Sequence, residues 1–266
     1  MSHQLKKHLG QHFLKEPAIA ERIANTLQLY GKQYDTVVEI GPGQGVMTEF
    51  LLNKYGTNLH LVEIDDDLIP YLTKKFSEIS GQIHHIDFLQ IDLNTEFSGS
   101  YAITGNFPYN ISSQIVFKVV ENRHKIPEMS GMFQREVALR LCAEPDGKVY
   151  GLISAWVQAF YDCEYLFTVN EGSFNPPPKV KSGVIRLTRK LDYDAVKHPA
   201  LLLNVIKAAF NMRRKTLRNS LHQYIPFMNG VDPEWLGKRA ENLSAKQFIK
   251  MTEIIHSNTT AYQQCL

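Results

Sequence analysis

The sequence predicts an α/β domain built on a parallel sheet with crossover helices, followed by a small all-helical domain. Three observations carry that expectation. Short β-branched runs alternate with stretches of helical periodicity between residues 36 and 105, the pattern of parallel strands joined through helices. Gly41, Gly43 and Gly45 fall directly between the first such strand and the first such helix. Beyond Arg189 the strand pattern stops, and a polar link, LDYDAVKHP, leads only into helical stretches. A boundary near 190 follows, giving domains of 1–190 and 191–266.

Pro17 suits a first helical turn, and Ile19, Ile23, Ala24 and Leu27 recur at helical spacing, which predicts an amphipathic helix over 17–30. A strand is expected at 36–40, a helix at 46–55, a strand at 60–64, a helix at 67–76, and strands at 82–86 and 101–105. Segments 111–120, 129–136, 152–160, 165–169 and 184–187 continue the strands and helices. Three prolines at 176–178 break regular structure between them. Helices are expected at 199–211, 214–225, 233–239 and 244–253.

Composition excludes several classes. The 266 residues are 44% hydrophobic and 21% charged, which suits a chain that folds throughout. No run approaches the roughly 18 to 20 apolar residues of a membrane helix, and the start, MSHQLKKHLGQHF, lacks the apolar core of a secretory signal. A cytoplasmic protein is expected. Three widely spaced cysteines, Cys142, Cys163 and Cys265, support neither a disulfide framework nor a thiolate metal site. The histidines show no metal-ligand spacing, and His84 and His85 point to opposite faces of a strand. No metal is expected.

The net charge of +2 conceals a division. Residues 191–266 balance at +4 and the first 190 at −2. Lys207, Arg213, Arg214, Lys215 and Arg218 fall within twelve residues without one acid, and Lys6, Lys7, Lys15 and Arg22 enrich the other terminus. Residues 39–96 hold ten acids against three bases. Basic segments could meet a polyanion; the acidic stretch could not.

The glycine turn has the strand-before, helix-after context of a nucleotide or nucleoside site. Val46 and Met47 stand where a phosphate-binding loop needs Lys and Ser or Thr, and the turn is shorter than G-x-G-x-x-G. Glu39, just before it, favours a cationic or uncharged ligand over a phosphate. S-adenosylmethionine, with a sulfonium and an amino group, meets that requirement. Glu39 would serve its methionine end, Glu63 at the second strand end its ribose hydroxyls, and Asp87 its adenine amino group, with Phe88 beside the ring. Asp65, Asp66 and Asp67 are expected to form a solvated turn opening the next helix.

The fourth strand ends in TGNFPYN, at the sheet edge where ligands of open α/β folds bind. Pro108 restricts Phe107 and fixes its carbonyl, Asn106 offers an amide oxygen, and Tyr109 an aromatic face. These parts suit an amino group on a flat ring. Acceptors that grip the N6 hydrogens of an adenine localise its lone pair, so methyl transfer needs positioning more than a strong base. Phe174, in the proline-stiffened GSFNPPPKVKSG, is the candidate second wall of the base pocket, with core packing as its alternative.

The whole set resembles the ribosomal RNA adenine N6-dimethyltransferases, in particular the bacterial small-subunit branch. QHFL at 11–14 is similar to the family's Q-N-F-L segment, EIGPGQGVMT at 39–48 to its cofactor loop, and NFPYNISS at 106–113 to its N-[LIF]-P-Y turn. FNPPPKVKS at 174–182 resembles F-x-P-x-P-x-V-x-S, and AFNMRRKTLRNSL at 209–221 the basic helical signature. His12 departs from the usual Asn, and Phe107 from the commoner Leu or Ile.

The resemblance implies a Rossmann-like S-adenosylmethionine-dependent methyltransferase domain with a helical C-terminal domain. It adds Gln11, His12, Phe13, Leu14 and Ile64 to the cofactor-binding set of Glu39, Gly41, Gly43, Gly45, Glu63, Asp87, Phe88 and Asn106. Catalysis would rest on Asn106, Tyr109 and Phe174, and RNA binding on Lys207, Arg213, Arg214, Lys215 and Arg218. The implied substrate is two adjacent adenosines near the 3′ end of 16S rRNA in the small ribosomal subunit precursor, each dimethylated by a monomeric enzyme. A large-subunit resistance methyltransferase and a noncatalytic assembly factor are the alternatives.

Overall fold

A computed structural model describes residues 12–264. The elements run β1 (Phe13–Leu14), α1 (Pro17–Ala24), β2 (Thr36–Ile40), α2 (Val46–Tyr55), β3 (Leu59–Glu63), α3 (Ile69–Lys75) and β4 (Ile83–His85). There follow β5 (Tyr101–Asn106), α4 (Ser112–Glu121), β6 (Glu128–Gln134), α5 (Arg135–Leu141), α6 (Leu152–Gln158), β7 (Tyr161–Val169), β8 (Phe174–Asn175) and β9 (Ser182–Arg189). The chain ends in α7 (Pro199–Asn211), α8 (Leu217–Ser220), α9 (Pro233–Gly237) and α10 (Ala245–Gln264).

Seven strands form one sheet in the order β4-β3-β2-β5-β6-β9-β7. Neighbours from β4 to β6 are parallel, and β9 runs antiparallel to β6. The chain moves outward from β2 to β3 and β4, then returns to add β5 on the other side of β2. That reversal opens a crevice beyond the carboxyl ends of the strands, where open α/β sheets bind ligands. Val37, Val38 and Ile40 of β2 and Ala102 and Ile103 of β5 are buried, as expected for strands covered on both faces.

The described residues fall into two compact units, 12–139 with 162–189, and 140–161 with 190–264. The second unit thus takes in a segment that chain order placed in the first domain. Its reason is packing. Ile153, Ser154, Ala155, Trp156 and Val157 of α6 are all buried, so the helix has no face suited to solvent, and it contacts α7 and α10. Phe210 bridges this core, 6.1 Å from Tyr150 and 6.0 Å from Phe248 between ring centroids. The helix expected over 214–225 is shorter, because Met212 to Thr216 form a turn and Pro226 lies in a 3₁₀ segment.

In the first unit, α1 ends at Ala24, and the chain that follows is tied down by one buried acid. Glu128, at the start of β6, is fully buried. Its carboxylate accepts from the backbone N–H groups of Gln28 and Leu29 and from the Tyr34 hydroxyl at 2.5 Å. Close by, Ser130 donates to Thr26 Oγ1 at 2.7 Å. These bonds satisfy N–H groups that the early end of the helix leaves without partners. Glu128→Ala is expected to strand those donors and cost about 3 kcal/mol or more, measured by urea unfolding; a loss under about 1 kcal/mol would contradict this account.

Candidate functional site

The crevice is lined from four strand ends and a strap. His12, Phe13, Leu14, Glu39, Gly41, Gly43, Glu63, Ile64, Asp87, Phe88, Asn106 and Tyr109 all border it. Most of the residues singled out in the sequence are thereby brought together. Gln11 lies outside the described residues, as do Lys6, Lys7 and Cys265. Gly45 and Phe174 do not border the cleft. Gly45 shapes the turn from behind: its N–H donates to Pro42 O at 2.9 Å, and the Phe76 ring occupies the space a Cβ would need.

Phe174 is 1% exposed and belongs to the core cluster that includes Leu14. Its backbone pairs with Leu14, and Phe13 pairs with Asn175, so β1 and β8 form a two-stranded ribbon. Core packing, the alternative reading of Phe174, describes its place here. The ribbon brings Phe13 against the glycine turn. Gly43 has φ +57°, and a Cβ there would lie 2.8 Å from the Phe13 ring, so only glycine allows both the turn and the contact.

Two buried acids define the polar character of the cleft. Glu39 is 1% exposed, and Thr48 Oγ1 donates to it at 2.6 Å. Burial pushes its carboxyl up to about 8; the Thr48 bond opposes the shift and the nearby Glu63 adds to it. Glu63 Oε1 accepts from the N–H groups of Ile64 and Asp65, both at 2.9 Å, and Oε2 from Gly43 at 3.2 Å. Burial raises this carboxyl too, against those three bonds. A carboxylate has about four acceptor positions, so Glu63 keeps one open to the cleft while Gly43 ties it to the glycine turn and Ile64 and Asp65 to the end of β3. Asp65 is buried, unlike the solvated residue expected, and its Oδ1 accepts from Asp67 N–H at 3.1 Å to close the turn before α3.

Asp87 Oδ1 accepts from Leu89 N–H at 2.9 Å, and Phe88 beside it is buried. Lys118, which the sequence did not single out, organises this end. Its ammonium donates to Leu89 O at 2.9 Å and Ile91 O at 2.5 Å and lies 5.4 Å from the Phe88 ring centroid. Nothing in the sequence near 118 signals this, because the partners lie 27 and 29 positions away.

At the end of β5, Asn106 Nδ2 donates to His12 O at 2.9 Å. His12 Nδ1 in turn donates to Pro176 O at 3.0 Å, and its ring lies 5.6 Å from that of Tyr109. His12, the departure from the family's Asn, thus uses its side chain to fasten the strap. Phe107 is buried against Phe133 at 4.8 Å. A Cβ at Gly131 would lie 2.5 Å from the Phe107 ring, so that glycine makes room for the larger side chain. The Tyr109 hydroxyl is 2.6 Å from Ser182 Oγ, and burial raises its pKa.

In the second unit, Lys207 lies exposed on α7, while Arg213, Arg214 and Lys215 follow it in the turn before α8 and Arg218 sits on α8. His84, considered above only beside His85, instead bonds His60 at 3.0 Å and Glu96 at 2.6 Å. No helix among the described residues is long and apolar enough to cross a membrane.

A switch-point cleft with a glycine turn, two buried acids and, among the described residues, no bordering lysine or arginine fits a cationic nucleoside and not a phosphate ester. Fold and cleft define an S-adenosylmethionine-dependent methyltransferase. The chain belongs to the ribosomal RNA adenine dimethylase family, whose model matches residues 2–257. The ribosomal RNA small subunit methyltransferase A of Flavobacterium johnsoniae is 50% identical over 254 residues, covering 95% of this chain and 96% of its own. Its namesake in Cytophaga hutchinsonii is 48% identical over 250 residues, 94% and 96% of the two chains. A dimethyladenosine transferase crystal structure from Plasmodium falciparum superposes with a TM-score of 0.76 at 26% identity, over 93% of this chain and 98% of that one. The 23S rRNA methyltransferase ErmE shares the fold, with a TM-score of 0.69 at 23% identity over 92% and 99%.

Glu39 makes the stability of the folded protein depend on pH. Its folded-state pKa is raised, so the folded protein holds a proton that the unfolded chain releases above 4.5. Stability from this group therefore falls as pH rises from 4.5 to about 8, by an amount on the order of a few kcal/mol. Glu39→Gln should flatten that slope in thermal melts of the cofactor-free protein; an unchanged slope would contradict the assignment.

Proposed function

We propose that this enzyme transfers methyl groups from S-adenosylmethionine to the N6 atoms of two adjacent adenosines near the 3′ end of 16S rRNA, giving N6,N6-dimethyladenosines during small-subunit assembly. The observation that carries the reading is the turn from Asn106 to Tyr109, which opens at the carboxyl edge of β5 into the same cleft as Glu63 and Asp87. The names of relatives that match across nearly the whole chain favour the small-subunit RNA over the large.

When bound, S-adenosylmethionine supplies an electrophilic methyl group on a sulfonium. Glu63 takes a ribose hydroxyl, Asp87 the adenine amino group beside Phe88, and Glu39 faces the methionine end. A cation at that end favours the ionised form of Glu39, so cofactor binding is coupled to proton release. Gly41 and Gly43 let the backbone approach, with Gly45 shaping the turn behind them, while His12, Phe13, Leu14 and Ile64 complete the enclosure.

The target base takes the other side of the turn. With its Nδ2 engaged by His12 O, Asn106 presents Oδ1 as an acceptor for one N6 hydrogen, and the Phe107 carbonyl, fixed by Pro108, accepts the second. Tyr109 stacks on the ring, and Phe174 supports the ribbon behind it. Extruding a base costs a few kcal/mol, which aromatic stacking at about 1–3 kcal/mol per base partly offsets. As the N–C bond forms, the S–CH3 bond breaks and its electron pair stays on sulfur, leaving a neutral thioether, so the positive charge passes to N6, where the two acceptors stabilise it. The proton leaves to water afterwards, so no strong base is needed.

Lys207, Arg213, Arg214, Lys215 and Arg218 contact rRNA phosphates from the helical unit. The enzyme works as a monomer in the cytoplasm, where its subunit substrate is assembled. The test is mass spectrometry of rRNA after incubating purified protein and S-adenosylmethionine with undermethylated small subunits. Dimethyladenosine at two adjacent positions is expected; methylation only of naked large-subunit RNA, or none, would overturn the reading. Asn106→Ala should cut the rate by about 10²–10³ while cofactor affinity stays within a few-fold; wild-type methylation by this variant would remove Asn106 from catalysis.

A further inference from the structure

We infer that Ser182 is a positioning residue that sets the orientation of the Tyr109 ring for methyl transfer, an inference that rests on the function proposed above. Ser182 is fully buried at the first position of β9. Its Oγ lies 2.6 Å from the Tyr109 hydroxyl, 73 positions away in the chain. No role follows for this serine from the cofactor or from the N6 acceptors. The hydrogen bond to Tyr109 supplies one.

The ring needs such an anchor. Tyr109 sits in the loop after β5, and its backbone is secured locally: Ser112 Oγ donates to its carbonyl at 3.2 Å. Its side chain still has two torsions, and rotation about the first moves the ring between staggered wells far apart in space. His12 lies to one side at a centroid distance of 5.6 Å, which limits the ring without fixing it. The hydroxyl is the remaining point of control. Ser182 is fully buried and Tyr109 half-buried, so the Ser182 hydroxyl depends on Tyr109 as a partner.

Ser182 is itself rigidly placed. It pairs with Gln134 of β6, and Lys181 O accepts from Arg135 N–H at 2.9 Å. Next to it, a Cβ at Gly183 would come within 2.8 Å of Ala138 and Tyr165, so the glycine lets β9 settle close against these groups. Three prolines at 176–178 stiffen the approach. The position of Tyr109 is thus referred to the sheet and not only to its own loop. A stacking wall held this way keeps N6 in line for attack, where a misplacement near 1 Å can cost on the order of 10²-fold in rate.

The experiment is a double-mutant cycle of Ser182→Ala and Tyr109→Phe, read as single-turnover methylation of undermethylated small subunits at saturating S-adenosylmethionine. Cofactor affinity and melting temperature are measured for each variant. Each single variant is expected to lower the rate constant about 10-fold to 30-fold with KM for the subunit and cofactor affinity nearly unchanged, and the double variant to match the singles. Multiplying effects, or a Ser182→Ala enzyme as fast as wild type, would overturn the inference. So would a loss of rate that tracks lost cofactor binding or lowered melting temperature, which would assign Ser182 to the fold. A wild-type protein that fails to methylate the subunit would instead sink the proposed function itself.

Discussion

The hydrogen bond from Asn106 Nδ2 to His12 O is the constraint on which the arrangement of the site depends. An amide side chain offers a donor end and an acceptor end, and its chemistry here depends on which end faces the cleft. The His12 carbonyl takes the donor end. That carbonyl is held in turn by the β1–β8 ribbon and by the bond from the His12 ring to Pro176. Chain segments 12–14, 106–109 and 174–182 therefore form one mutually supporting group. The strap, which the proposed function assigns to the cofactor, also orients the Asn106 amide.

The same cleft holds energy in reserve. Glu39 and Glu63 are buried carboxyls whose pKa values are raised by burial, and no cationic side chain among the described residues borders them. Burying acids without a cationic partner disfavours the folded state as they ionise. A cationic ligand relieves that cost, so the affinity of the site is built from the protein's own instability. Glu128, away from the cleft, has its carboxylate satisfied inside the fold by two backbone donors and the Tyr34 hydroxyl.

Much of this was legible in the sequence where the information is local. The strand at 36–40, the helix at 46–55 and the helix at 199–211 match their expected bounds, since each is fixed by periodicity and by Gly or Pro at its edges. The candidate residues Glu39, Glu63, Asp87 and Asn106 could be read because each ends or borders a strand of a parallel sheet, and such ends share one edge. What escaped depends on distant pairings. Strands β1 and β8 have two residues each and exist only through one another. Lys118 and Ser182 act on atoms far away in the chain. Residues 140–161 join the helical unit because Ile153 to Val157 of α6 are buried all round, with α7 and α10 as partners that periodicity alone does not name. Phe174 was read from its loop, yet it faces the core.

The central claim is that the donor end of Asn106 must be held by His12 for the acceptor end to work. Asn106→Asp tests it most directly, because the aspartate keeps an acceptor but replaces the donor with a second oxygen facing the His12 carbonyl. The measurement is the single-turnover rate of methyl transfer to undermethylated small subunits at saturating S-adenosylmethionine. A rate lowered on the order of 10²-fold, with cofactor affinity within a few-fold of wild type, is the predicted result; a rate near wild type would contradict the account.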